Sequence, residues 1–465
     1  MKGYYDELFE LCGFEDEEIS SERSRIEATL EKLELGPEDM ERADSWVREH
    51  HDISLEGVRK LLGAWLKELV DLVLAREEGK KIVYYGFPAI LGPGLMLSAS
   101  SEDVFVSAPD MVLDHTMGQI FNKLTPILEA GEANGLPPGH GLCSLWQAKV
   151  GGVAKGMIAV PDFALASSYY CDMGSKADDL VTALYGTPIA YIDGIMDSKW
   201  GEFPDFLPDR VEYLGAQINQ ALEMAEEVLD IKIAPDAWKK SQENSKPFRD
   251  NLVKLVELMK ADPVPVSIVE LELLEALSGS STGRGIREGI KAMGILVKEL
   301  EKRVKAGEGV TEKGAPRVMV RLGHTSDPRV TRVIEEAGLA VPLTFILGSF
   351  GGVKVEPKGT YNTPGEIIAN YEMTGGYYHG TDAQIQFYEK AARIMNLDGF
   401  IAQYLYNCRP VATISHAQKK YLEEKTGLPV LSLEIENFDS RTHSADSLRT
   451  RVETFAEMLK AKKRK

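Results

Sequence analysis

Apolar residues recur every three or four positions along Ser20–Leu35 and again along Leu55–Arg76, with Pro37 and the Ser54 region as breaks. That spacing predicts amphipathic helices in a charged amino-terminal segment covering residues 1–80. The period changes at Lys81. Lys81–Tyr85, Asp103–Val106, Gly156–Val160 and Pro188–Ile192 are short runs rich in β-branched and aromatic residues, separated by helical stretches such as Lys176–Leu184. Strands alternating with helices predict a parallel sheet with helices on both faces, here a first α/β domain over residues 81–209. Helical spacing returns in Val211–Leu229, Pro247–Met259 and Gly285–Lys305, which makes residues 210–310 a helical linking segment. A second α/β domain over residues 311–465 would take its strands from Arg317–Arg321, Val341–Ile346, Gly399–Tyr406 and Pro429–Glu434, and its last helix from about Ser447 to Lys460. The expected fold class is therefore α/β: two flavodoxin- or Rossmann-like domains with parallel sheets, plus helical amino-terminal and linking segments. No internal sequence repeat is visible.

A chain of 465 residues exceeds what one hydrophobic core usually serves, in keeping with two main domains. With 53 basic and 72 acidic residues its formal charge is −19, which disfavours nucleic acid and anionic membranes as partners. The longest apolar stretch, Ile82–Leu97, is interrupted by Gly86, Pro88, Gly92, Pro93 and Gly94, so no membrane helix is expected. The acidic start MKGYYDELFELCGFEDEE lacks the layout of a secretory signal, and four cysteines in so long a chain make no disulfide framework. Both point to a reducing cytoplasm.

Three of the four cysteines carry the candidate chemistry. Cys171 and Cys408 follow apolar runs that read as parallel strands, where open α/β sheets place reactive groups, and Cys143 lies in the Gly/Pro-rich loop Gly135-Leu-Pro-Pro-Gly-His-Gly-Leu-Cys. A thiol entering a helix has its thiolate favoured by the dipole and free amides, as metal ligation requires. No CxxC loop unites them, so spacing alone leaves open the bland alternative of isolated buried thiols. Cys12, in an amphipathic helix, fits that alternative best. His140 and Ser144 flank Cys143 and are candidates to support a ligand there. Gly279-Ser-Ser-Thr-Gly283 has the GxSxG form but follows a helical run, Ile268–Leu277, instead of the strand a nucleophile elbow needs. Ser281 or Thr282 is more simply a helix cap. No GxxxxGK[ST] is present, so ATP binding is not expected.

The loop cysteine Cys143, the strand-end pair Cys171-Asp172 and the late strand-end Cys408 together resemble the 2-hydroxyacyl-CoA dehydratase and benzoyl-CoA reductase family. Gly427-Leu-Pro-Val-Leu-Ser-Leu-Glu-Ile-Glu-Asn and Leu448-Arg-Thr-Arg-Val-Glu-Thr-Phe-Ala-Glu-Met-Leu resemble that family's ending. The segment Phe87–Ser101 departs from its usual entry pattern. The resemblance implies a [4Fe–4S] cluster bound by Cys143, Cys171 and Cys408, a related paralogous subunit as heterodimer partner, and a separate ATP-hydrolysing iron–sulfur activator. It also implies an acyl-CoA substrate, with radical dehydration of a hydroxyacyl-CoA through a ketyl radical. Aromatic ring reduction of the benzoyl-CoA type, a non-catalytic partner subunit, and a reductase of a small non-CoA substrate remain the alternatives, because a fold and a cluster do not specify a substrate.

Overall fold

A computed structural model of the chain describes residues 3–86, 90–137, 142–168, 170–194, 199–321, 325–345, 347, 356–375, 379–405, 407–442 and 445–463. Helices Asp6–Leu11, Asp16–Lys32, Pro37–His50 and Glu56–Leu74 open it. The last of these is buried along most of its length, Lys67 and Glu68 included, and it packs along Arg284–Ala306 with Trp65 fully buried.

Two four-stranded parallel sheets follow, as the alternating pattern predicts. The first contains β1 (Lys81–Tyr85), β2 (Val104–Ser107), β3 (Phe163–Ser167) and β4 (Ile189–Ile192), in the order β2-β1-β3-β4. The second contains β5 (Arg317–Val320), β6 (Ala340–Thr344), β7 (Gly399–Leu405) and β8 (Val430–Ile435), in the order β6-β5-β7-β8. The two sheets are topological copies. In each, the order reverses between the two central strands, and the crevice beyond their carboxyl ends is where such sheets bind ligands.

One predicted strand is misplaced. Gly156–Val160, read as a strand from its β-branched residues, is turn: Gly156 sits at φ +68° just past the helix Ser144–Ala154, and Pro161 follows. The strand is instead Phe-Ala-Leu-Ala-Ser, a sequence of weak β-propensity held by parallel neighbours on both sides and buried at every position. Burial on both faces outweighs propensity in a central parallel strand. Its entry is pinned by Asp162, whose Oδ2 accepts the amide of Ile82 at 2.7 Å. The helix predicted from Pro247 starts earlier, at Ala237, and contains that proline.

Helix Ile268–Ser280 is buried along nearly its whole length. Ile268 and Val269 belong to a core on the second sheet, whereas Leu271, Leu273, Leu274 and Leu277 belong to the larger core, which takes in the amino-terminal helices, the first sheet and other residues of the second. Among the described residues no helix is long and apolar enough to cross a membrane.

Candidate functional site

Cys171 and Cys408 occupy equivalent places in the two sheets. Each lies a few residues past the end of a central strand, β3 or β7, and each is the N-cap of the helix that follows, Asp172–Tyr185 or Arg409–Thr426. Cys143 is likewise the N-cap of helix Ser144–Ala154. All three have extended backbone, so the sulfurs stand at the exposed amide ends of three helices. Backbone amides of Leu145 and Val411 face Cys143 and Cys408 and favour their thiolates.

The three thiols lie within electrostatic reach of one another. Burial is the largest influence and pushes Cys143 well above the ordinary thiol range; negative charge at Cys408 and Cys171 raises it further. Burial, then Cys171, pushes Cys408 up to about 12. Cys171 is 7% exposed. Cys12 is buried apart from them in the amino-terminal core.

The relative position of Cys143 and Cys171 is set by the packing of their helices. Trp146 and Val150 of one meet Ala177 and Val181 of the other, and Lys149 Nζ is ion-paired to Asp178 Oδ1 inside this contact, beside the Trp146 ring. Both charged groups are buried.

Glu436 lies within electrostatic reach of both Cys408 and Cys143. This residue, 2% exposed, follows β8; its Oε2 accepts the Phe438 amide at 2.6 Å, and its carboxylate also accepts the Ser144 amide. Burial raises its pKa to about 7 against the lowering effect of those amides. Asp114, at the start of a π-helical stretch Asp114–Ile120, is fully buried, and its carboxyl oxygens have no hydrogen-bond partner among the described residues. Burial, then the charge of Glu436, holds its pKa well above the carboxylate range. Arg321, 3% exposed, sits just past β5, where its amide donates to the Ile401 carbonyl at 3.1 Å. Its side chain hydrogen-bonds Tyr170, the residue before Cys171, and its positive charge favours the Cys408 thiolate.

Of the candidates beside Cys143, Ser144 is buried and contributes its amide to Glu436, while His140 lies outside the described residues. Ser281 does not sit on an elbow: it follows a helix, donates to Glu68 Oε2 at 2.6 Å and accepts the Ile286 amide at 3.0 Å. Glu436, Asp114 and Arg321 are residues that sequence reasoning missed. Glu436 and Arg321 could have been found as charges ending apolar strands at the sheets' carboxyl edges, whereas Asp114 carried no comparable signal.

Among the described residues no three His, Cys, Asp or Glu side chains converge on a point that would hold one metal ion. A [4Fe–4S] cluster does not need such convergence, since its thiolates bind separate irons. Metal coordination displaces the proton of a thiol, and three cysteines at three helix N-termini fit the thiolate donors of such a cluster.

Residues 103–459 match the family described as 2-hydroxyglutaryl-CoA dehydratase, D-component. The chain is 22% identical over 306 residues to the alpha subunit of (R)-2-hydroxyglutaryl-CoA dehydratase from Acidaminococcus fermentans, covering 65% of this chain and 61%, less than two thirds, of that protein. It is 22% identical to the (R)-phenyllactyl-CoA dehydratase alpha subunit of Clostridium sporogenes, covering 66% of this chain and 72% of that one. Identity to one of the subunits of benzoyl-CoA reductase from Thauera aromatica is also 22%, over 69% of this chain and 77% of that protein. The match across most of the chain, on a fold of two parallel sheets, means that this protein belongs to the 2-hydroxyglutaryl-CoA dehydratase D-component family.

Proposed function

We propose that this chain is the cluster-bearing subunit of a reductive acyl-CoA enzyme of the cytoplasm, with Cys143, Cys171 and Cys408 as ligands of a [4Fe–4S] cluster. The observation that carries the reading is the meeting of three thiols from three distant stretches, each at a helix N-terminus. When bound, such a cluster would supply single low-potential electrons and a Lewis-acidic iron open to a thioester oxygen. The chain's own residues do the rest. The helix amides stabilise the thiolates, of which Cys171 is buried and Cys143 and Cys408 are half-buried. Burial biases the carboxyl groups of Glu436 and Asp114 toward their protonated forms, which makes them the candidate proton donors to a leaving hydroxyl.

Dehydration of a 2- or 3-hydroxyacyl-CoA, through a ketyl radical of the substrate, accounts best for this arrangement and for the dehydratase relatives. Those relatives are named as alpha subunits, which supports a heterodimer with a related subunit. The electron would come from a separate ATP-hydrolysing activator, in keeping with the absence of a GxxxxGK[ST] motif here. The likeness to part of a benzoyl-CoA reductase supports aromatic ring reduction as the second reading.

The test is anaerobic co-expression with the neighbouring paralogue, followed by iron and sulfide analysis and assay with activator, ATP and acyl-CoA thioesters. About four irons per chain are expected, as the cluster type requires, with water released from a hydroxyacyl-CoA. Ring reduction without dehydration selects the second reading. An iron-free chain overturns both.

A further inference from the structure

Buried charge must be balanced. Three thiolates bring net negative charge to a place where Cys171 is nearly inaccessible, and an electron added to a cluster there makes the imbalance worse. A cation fixed beside the sulfurs changes the free energy of the reduced form more than that of the oxidised form.

Two buried cations lie near the three cysteines. Lys149 is ion-paired to Asp178, within the contact between its helix and the next. Arg321 is differently placed. It ends β5 at the point where the strand order of the second sheet reverses, next to β7, whose continuation carries Cys408. It holds the hydroxyl of Tyr170, which packs against the cores of both sheets together with Cys143 on one side and Cys408 on the other. The guanidinium is thus a fixed charge at the seam that brings the cysteines of the two halves together. The corresponding position after β1 is Gly86, where Trp146 and Lys149 Nζ fill the space a side chain would take, so the first half's cation there is Lys149, whose charge is already paired to Asp178.

Resting on the cluster assignment above, we propose that Arg321 is the residue that tunes the reduction potential of this site: its buried positive charge stabilises the reduced state, and its hydrogen bond to Tyr170 keeps it in place. It is a positioning residue for charge, not a ligand and not a proton donor.

The experiment is an anaerobic redox titration of the heterodimer, followed by EPR, with dithionite as reductant and with iron measured on each sample. Arg321→Gln should keep its iron and need a potential lower by at least 59 mV, a tenfold change in the reduction equilibrium for one electron. Arg321→Lys, which keeps the charge and loses the planar fork, should recover most of that difference. If Arg321→Gln keeps its iron and titrates with the wild type, the inference fails and the cluster assignment stands. If Arg321→Gln loses iron, Arg321→Lys decides: retained iron with a near wild-type potential supports the charge role, and lost iron assigns Arg321 to holding Tyr170 alone and overturns it. A wild-type chain without iron removes the cluster assignment and this inference together.

Discussion

Cys143, Cys171 and Cys408 differ from Cys12 in one respect that matters for metal binding: each precedes the first turn of a helix, where amide groups and the dipole compensate a thiolate. Cys12 follows the last turn of its helix and is raised to about 12 by burial. Replacing any one of the three by serine is expected to cost more than half of about four irons per chain. Cys12→Ser should leave the iron content unchanged, and iron and sulfide analysis of the four variants checks both. Their order along the chain was readable, because two of them end apolar runs. Their meeting was not, since nothing in a one-dimensional pattern places residue 408 beside residue 171. Glu436 was legible only as one letter of a strand end, and its bond to the Ser144 amide exists only once the two halves are together.

At the scale of elements, the strands of the second sheet and the long helices were readable from period alone, because their apolar positions repeat over several turns or bound clear runs. The failures have a common physical source. Phe163–Ser167 is Ala-rich and Ser144–Ala154 is buried at nearly every position, so neither shows the alternation that a half-exposed element shows. That helix and Asp172–Tyr185 carry two of the cysteines, and the Lys149–Asp178 pair between them makes their packing testable. Lys149→Ala leaves Asp178 buried without its cation and should cost about 3–5 kcal/mol, read as a lower urea midpoint, with iron content falling too. Lys149→Met combined with Asp178→Leu removes both charges and should restore most of that stability. If the single variant unfolds at the wild-type midpoint, the pair does not hold these helices.

For the molecule as a whole, a set of buried carboxyl groups with raised pKa values gives stability a definite pH dependence. Glu270 and Glu275 lie on the helix that joins the two cores, and burial raises both to about 8 although amides of Asp52 and Leu347 donate to them. Glu68 and Glu335 are raised to about 7, again chiefly by burial. An acid whose folded pKa exceeds its unfolded value binds more protons folded than unfolded, so its contribution falls as pH rises from the unfolded pKa to the folded one. Buried histidines act the other way. His51 and His115 are lowered to about 4 by burial, and their contribution rises with pH until the ordinary histidine pKa is passed. Below about pH 6.5 the two groups oppose each other; above it the histidines have finished titrating and only the acids remain. Stability should therefore decline between about pH 6.5 and 8, by up to about 2 kcal/mol for each of Glu270 and Glu275 at about 1.36 kcal/mol per pH unit. Thermal unfolding across that range should show a falling midpoint for the wild type and a flatter profile for Glu270→Gln and Glu275→Gln, flattest in the double variant. A midpoint that rises with pH over the same interval would mean that these carboxyl groups are ionised in the fold, with cations at the junction of the two cores that offset their burial.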